Sequence, residues 1–137
     1  MSKENMTPPS RALGITDVEI GIDCVDTSRF EEDTSLDNAF LKKIFTEKEI
    51  KYCMGKSKPS QHFAAKFAGK EAVVKALSSF NKKIAYNEVE IINDDKGTPL
   101  GKLLNHNTGE FDIRISLSHS INLAVAVAII FRRNRAM

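Results

Sequence analysis

The sequence predicts an α+β domain, and three observations predict it. Helical periodicity is confined largely to the first half of the chain, from about Leu36 to Phe80. The second half turns to short segments rich in valine and isoleucine, separated by turn compositions, the signature of antiparallel strands. With 137 residues the chain can close one core that buries roughly two-thirds of its unfolded surface, and it is short for two.

The elements follow in order. "MSKENMTPPSRALG" lacks the apolar stretch of a signal peptide and reads as a loose tail, so a single domain is expected over 17–132, with tails at 1–16 and 133–137. "VEIGIDCV" sets Val18, Ile20, Ile22 and Cys24 at alternate positions and runs into the polar "DTSRFEEDTS", a strand entering a loop with Asp23 at its end. Leu36, Phe40, Leu41 and Ile44 recur at helical spacing. A second short helix follows in "FTEKEIKYCM", where Thr46 and Glu49 form a capping box. "GKSKPS" breaks the pattern before the longest periodic segment, Gln61 to Phe80, the main helix. Then "YNEVEIIND", "TPLGKLL", "FDIRISLSH" and "NLAVAVAII" predict an antiparallel meander. The last of these is apolar almost throughout, as a central strand is, whereas Ile113, Ile115 and Leu117 alternate with Arg114, Ser116 and Ser118 as in a half-exposed one.

Composition narrows the function classes. A net charge of +2 names no partner. Cys24 and Cys53 have neither CxxC spacing nor partners for a disulfide framework, which disfavours a cysteine-rich zinc site and suits a reducing, cytoplasmic setting. No apolar run reaches the ~18 residues of a membrane helix. The basic residues are not interleaved with aromatics, so a nucleic-acid-binding module has no support.

Three polar positions stand in apolar places. In "FAGKEAVVKAL", Glu71 falls between Phe67 and the small residues Ala64 and Ala68, with Lys75 in the same sector. The two read either as an ordinary i,i+4 pair on an exposed face or as charges that need a further partner once covered, a bound cation being one. Asp23 reads as a turn-former or as a functional carboxylate, and His119 in "SLSHSIN" as a turn residue or a ligand contact. Taken together, two carboxylates without a thiolate or imidazole cluster suit a hard cation such as Mg2+ that shares its shell with substrate phosphates. Lysine and histidine would then offset phosphate charge. Spacing alone leaves a Mg2+-dependent phosphohydrolase open as well.

"IGIDCVDTSRF" resembles the (I/V)GxDxxxxxRF signature, and "FAAKFAGKEAVVKAL" the FxxKEAxxKA signature, of the 4′-phosphopantetheinyl transferases of the small holo-[acyl-carrier-protein] synthase type. "SLSHS" is similar to that type's third motif and "NDDKGTPL" to its G-x-P segment; the order of the motifs disfavours the phosphohydrolase. The resemblance runs from about Glu19 to Phe131. It implies the fold of that family, one long helix packed on an antiparallel sheet, and transfer of the phosphopantetheine arm of coenzyme A to a serine of an apo acyl carrier protein, with release of adenosine 3′,5′-bisphosphate. A member that binds coenzyme A or a carrier without turnover is the alternative.

Carried over by position, the resemblance makes Asp23 and Glu71 the Mg2+ ligands and Lys75 a coenzyme A phosphate contact, the three forming the catalytic set. It makes His119 a contact near the adenosine end. Lys66 and Lys70 on the same helix are expected at coenzyme A too, Lys66 standing where the family often has arginine. Arg29 corresponds to the family's carrier-facing arginine. Lys42 and Lys43, with Lys48, Lys51, Lys56 and Lys58 nearby, match an acidic carrier in sign. Small members form homotrimers with each coenzyme A site at a subunit boundary. The chain departs from the pattern after the helix: the family's KA(L/F)GTG is here "KALSSFNKK", without glycine, with Lys82 and Lys83 as candidate compensating charges.

Overall fold

A computed structural model of the protein describes residues 17–31, 38–106 and 109–133. The expected tails, apart from Arg133, and Leu36 lie outside the described residues. Strand β1 (Val18–Asp26) leads into a 3-10 turn at Thr27–Phe30, then helices α1 (Ala39–Ile44), α2 (Glu47–Met54) and α3 (Pro59–Ser78). A second 3-10 turn (Tyr86–Glu88) precedes β2 (Val89–Asn93), β3 (Pro99–Leu103), β4 (Phe111–His119) and β5 (Leu123–Arg132).

Local chemistry accounts for the helix ends. Asn38 caps α1 by accepting from the amides of Phe40 and Leu41. The capping box of α2 is present: Thr46 Oγ1 accepts from the Glu49 amide, and the Glu49 carboxylate accepts from the Thr46 amide. Helix α3 starts at Pro59, two residues before the predicted start, because proline fits the first helical turn, where its missing N–H leaves no bond unmade. It ends in a turn where Asn81, at φ 61°, takes the left-handed conformation that glycine commonly supplies.

The strands form two sheets rather than the single meander the sequence predicts. One has the order β1-β5-β4, all antiparallel, and the other is the hairpin β2-β3. The apolar strand β5 is central, as its composition requires. Strand β3 does not continue the ladder to β4. It lies over that strand's inner face instead, with Gly101 close against the side chains of Ile113 and Ile115.

Helix α3 crosses the three-stranded sheet, and small residues set how close it comes. Ala64, Ala68, Ala72 and Ala76 recur every fourth residue along α3, and Ala124, Ala126 and Ala128 at alternate positions of β5; all seven are buried. On β1 the inward set is Gly21, Asp23 and Val25, whereas the apolar set Val18, Ile20 and Ile22 points outward, with Ile20 66% and Ile22 61% exposed. Phe30, Phe45, Phe63 and Phe67 close the core at the other end, with ring centroids 5.0–6.1 Å apart. The burial of Phe30 holds the 3-10 turn, and with it Arg29, against α3.

Candidate active site

Gly21 fixes the distance between β1 and α3. A β-carbon built there would lie 2.0 Å from the Ala72 carbonyl oxygen, so only glycine permits this approach. Two residues on, with the same inward orientation, Asp23 is brought to the helix face that carries Glu71 and Lys75. Lys75 Nζ lies 3.0 Å from Asp23 Oδ1 and donates to the Ile22 carbonyl at 3.2 Å. The lysine thus pairs with the strand carboxylate rather than with its i,i+4 neighbour. Its side chain is 54% exposed and Asp23 14%, so the ammonium lies open to solvent while the carboxylate is largely covered.

Glu71 has a different partner, one that sequence reasoning missed. Tyr86 Oη donates to Glu71 Oε1 at 3.1 Å. Burial, then the carboxylates of Glu71 and Asp23, push the Tyr86 phenol above its usual pKa, with Arg29 opposing, so the hydroxyl stays a donor. Asp23, Glu71, Lys75, Tyr86 and Arg29 form one polar centre. Arg29 is exposed, its guanidinium carbon 4.9 Å from the Phe67 ring centroid. Among the described residues no group of three or more His, Cys, Asp or Glu side chains could hold a metal. Two carboxylates form a donor set that fits Mg2+ when substrate oxygens and water complete the shell, and does not fit a soft metal.

A second feature lies at the opposite edge of the sheet. Tyr52, His62, Lys66, Asn93, Leu117 and His119 line a cavity of about 170 Å3. The His62 and His119 rings meet edge to face at 5.1 Å. Lys66 and His119, predicted separately, come together here. Lys66 is buried and donates to the Ile91 carbonyl at 2.6 Å and to Asn93 Oδ1 at 2.8 Å, and burial lowers its pKa. Asp23 and Leu117 both pair with Ala126 of β5, which puts β1 and β4 about 10 Å apart at this row, two strand spacings.

Lys70 corrects an expectation. Its ammonium is wholly buried, 2.7 Å from a Glu49 carboxylate oxygen, and it donates to the carbonyls of Tyr86, at 2.9 Å, and Val89. Every proton is taken, and none faces a coenzyme A phosphate; the residue ties α3 to α2 and β2. Lys42 and Lys43 are exposed on the last turn of α1. After the helix, Lys82 sits 3.2 Å from Glu110, so its charge is already partly balanced. The altered turn is held by Phe80, packed on Phe111 with the Arg132 guanidinium 4.7 Å from its ring centroid. His62, also missed, left one signal: it stands one turn before Lys66, which puts an imidazole and an ammonium on one helix face.

The α+β domain thus sets two carboxylates and a lysine at one sheet edge, and a cavity lined by a lysine and two histidines at the other. The sequence model of the 4′-phosphopantetheinyl transferase superfamily matches residues 19–129. The chain belongs to that superfamily. It is 40% identical to the holo-[acyl-carrier-protein] synthase of Geotalea daltonii, over 80% of this chain and 94% of that one. To the synthase of Chloroherpeton thalassium it is 37% identical, over 82% and 97% of the two chains. Its fold is similar to the crystal structure of the Bacillus anthracis synthase in complex with coenzyme A (3′,5′-ADP), with a TM-score of 0.67, 29% identity and coverage of 84% of this chain and 96% of that one. The Mycobacterium tuberculosis acyl carrier protein synthase gives a TM-score of 0.67 at 29% identity, covering 84% of this chain and 97% of that one. The fold and family read from the sequence motifs are thereby borne out.

Proposed function

We propose that this protein is a holo-[acyl-carrier-protein] synthase that moves 4′-phosphopantetheine from coenzyme A to a serine of an apo acyl carrier protein. The serine hydroxyl gives up its proton as its oxygen forms a bond to the phosphorus of the phosphopantetheine arm, the bond from that phosphorus to the bridging oxygen breaks, and adenosine 3′,5′-bisphosphate leaves with the bridging oxygen. The observation that carries this reading is the convergence of Asp23, Glu71 and Lys75 from β1 and α3, residues 52 positions apart in the case of Asp23 and Lys75. Asp23 and Glu71 would hold Mg2+, which supplies charge neutralisation at the pyrophosphate. Lys75, itself exposed and paired among the described residues with the inward Asp23 carboxylate and the Ile22 carbonyl, turns to the phosphate and offsets charge on the departing bisphosphate. His119 and Lys66 receive the adenosine-end phosphates in the cavity.

Arg29, Lys42 and Lys43 face the acidic carrier. The assembly is a homotrimer with the coenzyme A site at a subunit boundary. Its support is the outward face of the sheet, where exposed Val18, Ile20 and Ile22 of β1 adjoin Val125, Val127 and Ile129 of β5, an apolar surface that begins one residue from Asp23. Among the described residues no helix is long and apolar enough to cross a membrane, and two free thiols suit the reducing cytoplasm.

The test is transfer itself. Purified protein with coenzyme A, Mg2+ and an apo carrier adds one phosphopantetheine mass to the carrier; intact protein that modifies none of a panel of apo carriers refutes the assignment. Glu71→Gln keeps shape and removes charge, and full activity at saturating Mg2+ would contradict the ligand role. Light scattering on Ile20→Asp tests the trimer, which this charge on the apolar face should dissociate.

A further inference from the structure

Tyr86 enters the structure through three contacts that serve one atom. Its carbonyl accepts from the buried ammonium of Lys70 at 2.9 Å, and Lys70 is in turn fixed by Glu49. Its ring packs edge to face on Phe67, with centroids 5.3 Å apart. Its hydroxyl, the only part left to choose a partner, donates to Glu71 Oε1. A buried ion pair, an aromatic contact and a hydrogen bond thus form a continuous support from α2 through α3 and the 3-10 turn to one carboxylate oxygen.

We infer that Tyr86 is a positioning residue for metal binding: its hydroxyl holds one oxygen of the Glu71 carboxylate and leaves the other turned to the cation shared with Asp23. This rests on the metal role of Glu71 proposed above. Glu71 is otherwise a long side chain on a half-buried helix face, with several rotamers to lose on ligation. A hydrogen bond from a fixed donor removes that freedom before the cation arrives, and outer-shell partners of this kind typically change metal affinity by 10–100-fold when removed. The same contact gives the buried Lys70–Glu49 pair a role at the site without any contact to the substrate.

The experiment compares Tyr86→Phe and Glu71→Gln with the unaltered protein. Mn2+ binding is read by electron paramagnetic resonance with coenzyme A present, and the Mg2+ dependence of transfer and the melting midpoint are measured in parallel. Tyr86→Phe keeps the ring on Phe67 and the backbone bond to Lys70. It is expected to weaken Mn2+ binding and raise the half-saturating Mg2+ by about 10-fold, to recover most of kcat at saturating Mg2+, and to leave KM for the carrier and the melting midpoint unchanged. If Glu71→Gln weakens Mn2+ binding and Tyr86→Phe does not, the positioning role is overturned while the metal site stands. If neither variant alters Mn2+ binding, the metal role of Glu71 is overturned, and this inference with it.

Discussion

Gly21 of β1 and Ala72 of α3 touch backbone to backbone: a β-carbon on the strand would meet the helix carbonyl carbon at 2.9 Å and its oxygen at 2.0 Å. No rotamer change relieves that contact, because both groups are main chain. Gly21→Ala must therefore push the strand off the helix, at a cost of about 1–3 kcal/mol as overpacking, and carry Asp23 with it. A displacement near 1 Å at a positioned group lowers turnover by about 100-fold. Denaturant titration and transfer kinetics on Gly21→Ala check both, and wild-type kcat would show that the close approach does not set the site.

The buried pair of Lys70 and Glu49 makes a separate prediction. Both side chains are fully buried, and Glu49 also accepts from the Ile91 amide at 2.7 Å. Burial, opposed by Glu49, lowers the Lys70 pKa. Removing the lysine leaves the buried Glu49 charge without its counter-ion and the Val89 carbonyl without its ammonium donor, while the Tyr86 carbonyl keeps only the Val89 amide, so Lys70→Met should cost about 3–5 kcal/mol. A change under 1 kcal/mol in urea unfolding would contradict that account. Because Lys70 holds the Tyr86 carbonyl, the folded fraction of the variant should also bind metal more weakly than the unaltered protein.

The motif residues that converge were legible in the sequence because each stood out against an apolar background. Glu71 and Lys75 interrupt a core helix, and Asp23 follows an alternating apolar run, although β1 continues past it to Asp26 rather than ending there as expected. Periodicity also marked β5 as central and α3 as the main helix. What stayed hidden depends on long-range contact. Lysines at 66 and 70 look alike in "KFAGK", yet one lines a cavity and the other is consumed by Glu49 and two carbonyls. Tyr86 reads as the start of a strand, since only the fold reveals that Lys70 draws its carbonyl into a 3-10 turn and frees its hydroxyl for Glu71. The alternation of Val18, Ile20 and Ile22 predicts a strand correctly but not its orientation, because their side of the sheet faces away from α3.

The two thiols should separate by reactivity. Burial pushes the Cys53 thiol up to about 12, with Lys66 the largest opposing charge, so at neutral pH no thiolate forms there. Cys24 is exposed on the outer sheet face. Titration with a disulfide reagent should modify Cys24 alone until the protein unfolds. Its rate should rise in Ile20→Asp if that face is covered in the assembly. Rapid modification of Cys53 in folded protein would refute the burial assigned to it.

The cavity should make both stability and ligand binding depend on pH, in opposite senses. Burial first, then His119, Lys56 and Lys66, holds the His62 imidazole below its ordinary 6.5. The folded state therefore favours neutral His62, and as pH falls below about 6.5 the unfolded chain takes up the proton first. Stability from this group is complete above that pH and is lost as pH falls through the lower folded value, so the melting midpoint of the free protein should drop between about pH 7.5 and pH 5.5. His62→Phe should flatten that drop. An anion in the cavity reverses the preference, because a phosphate within reach of the His62 ring favours imidazolium there. Adenosine 3′,5′-bisphosphate, measured by calorimetry, should bind more tightly near pH 6 than near pH 8, and His62→Phe should reduce the difference. Equal slopes in the two proteins, for both melting and binding, would show that His62 does not face the anion.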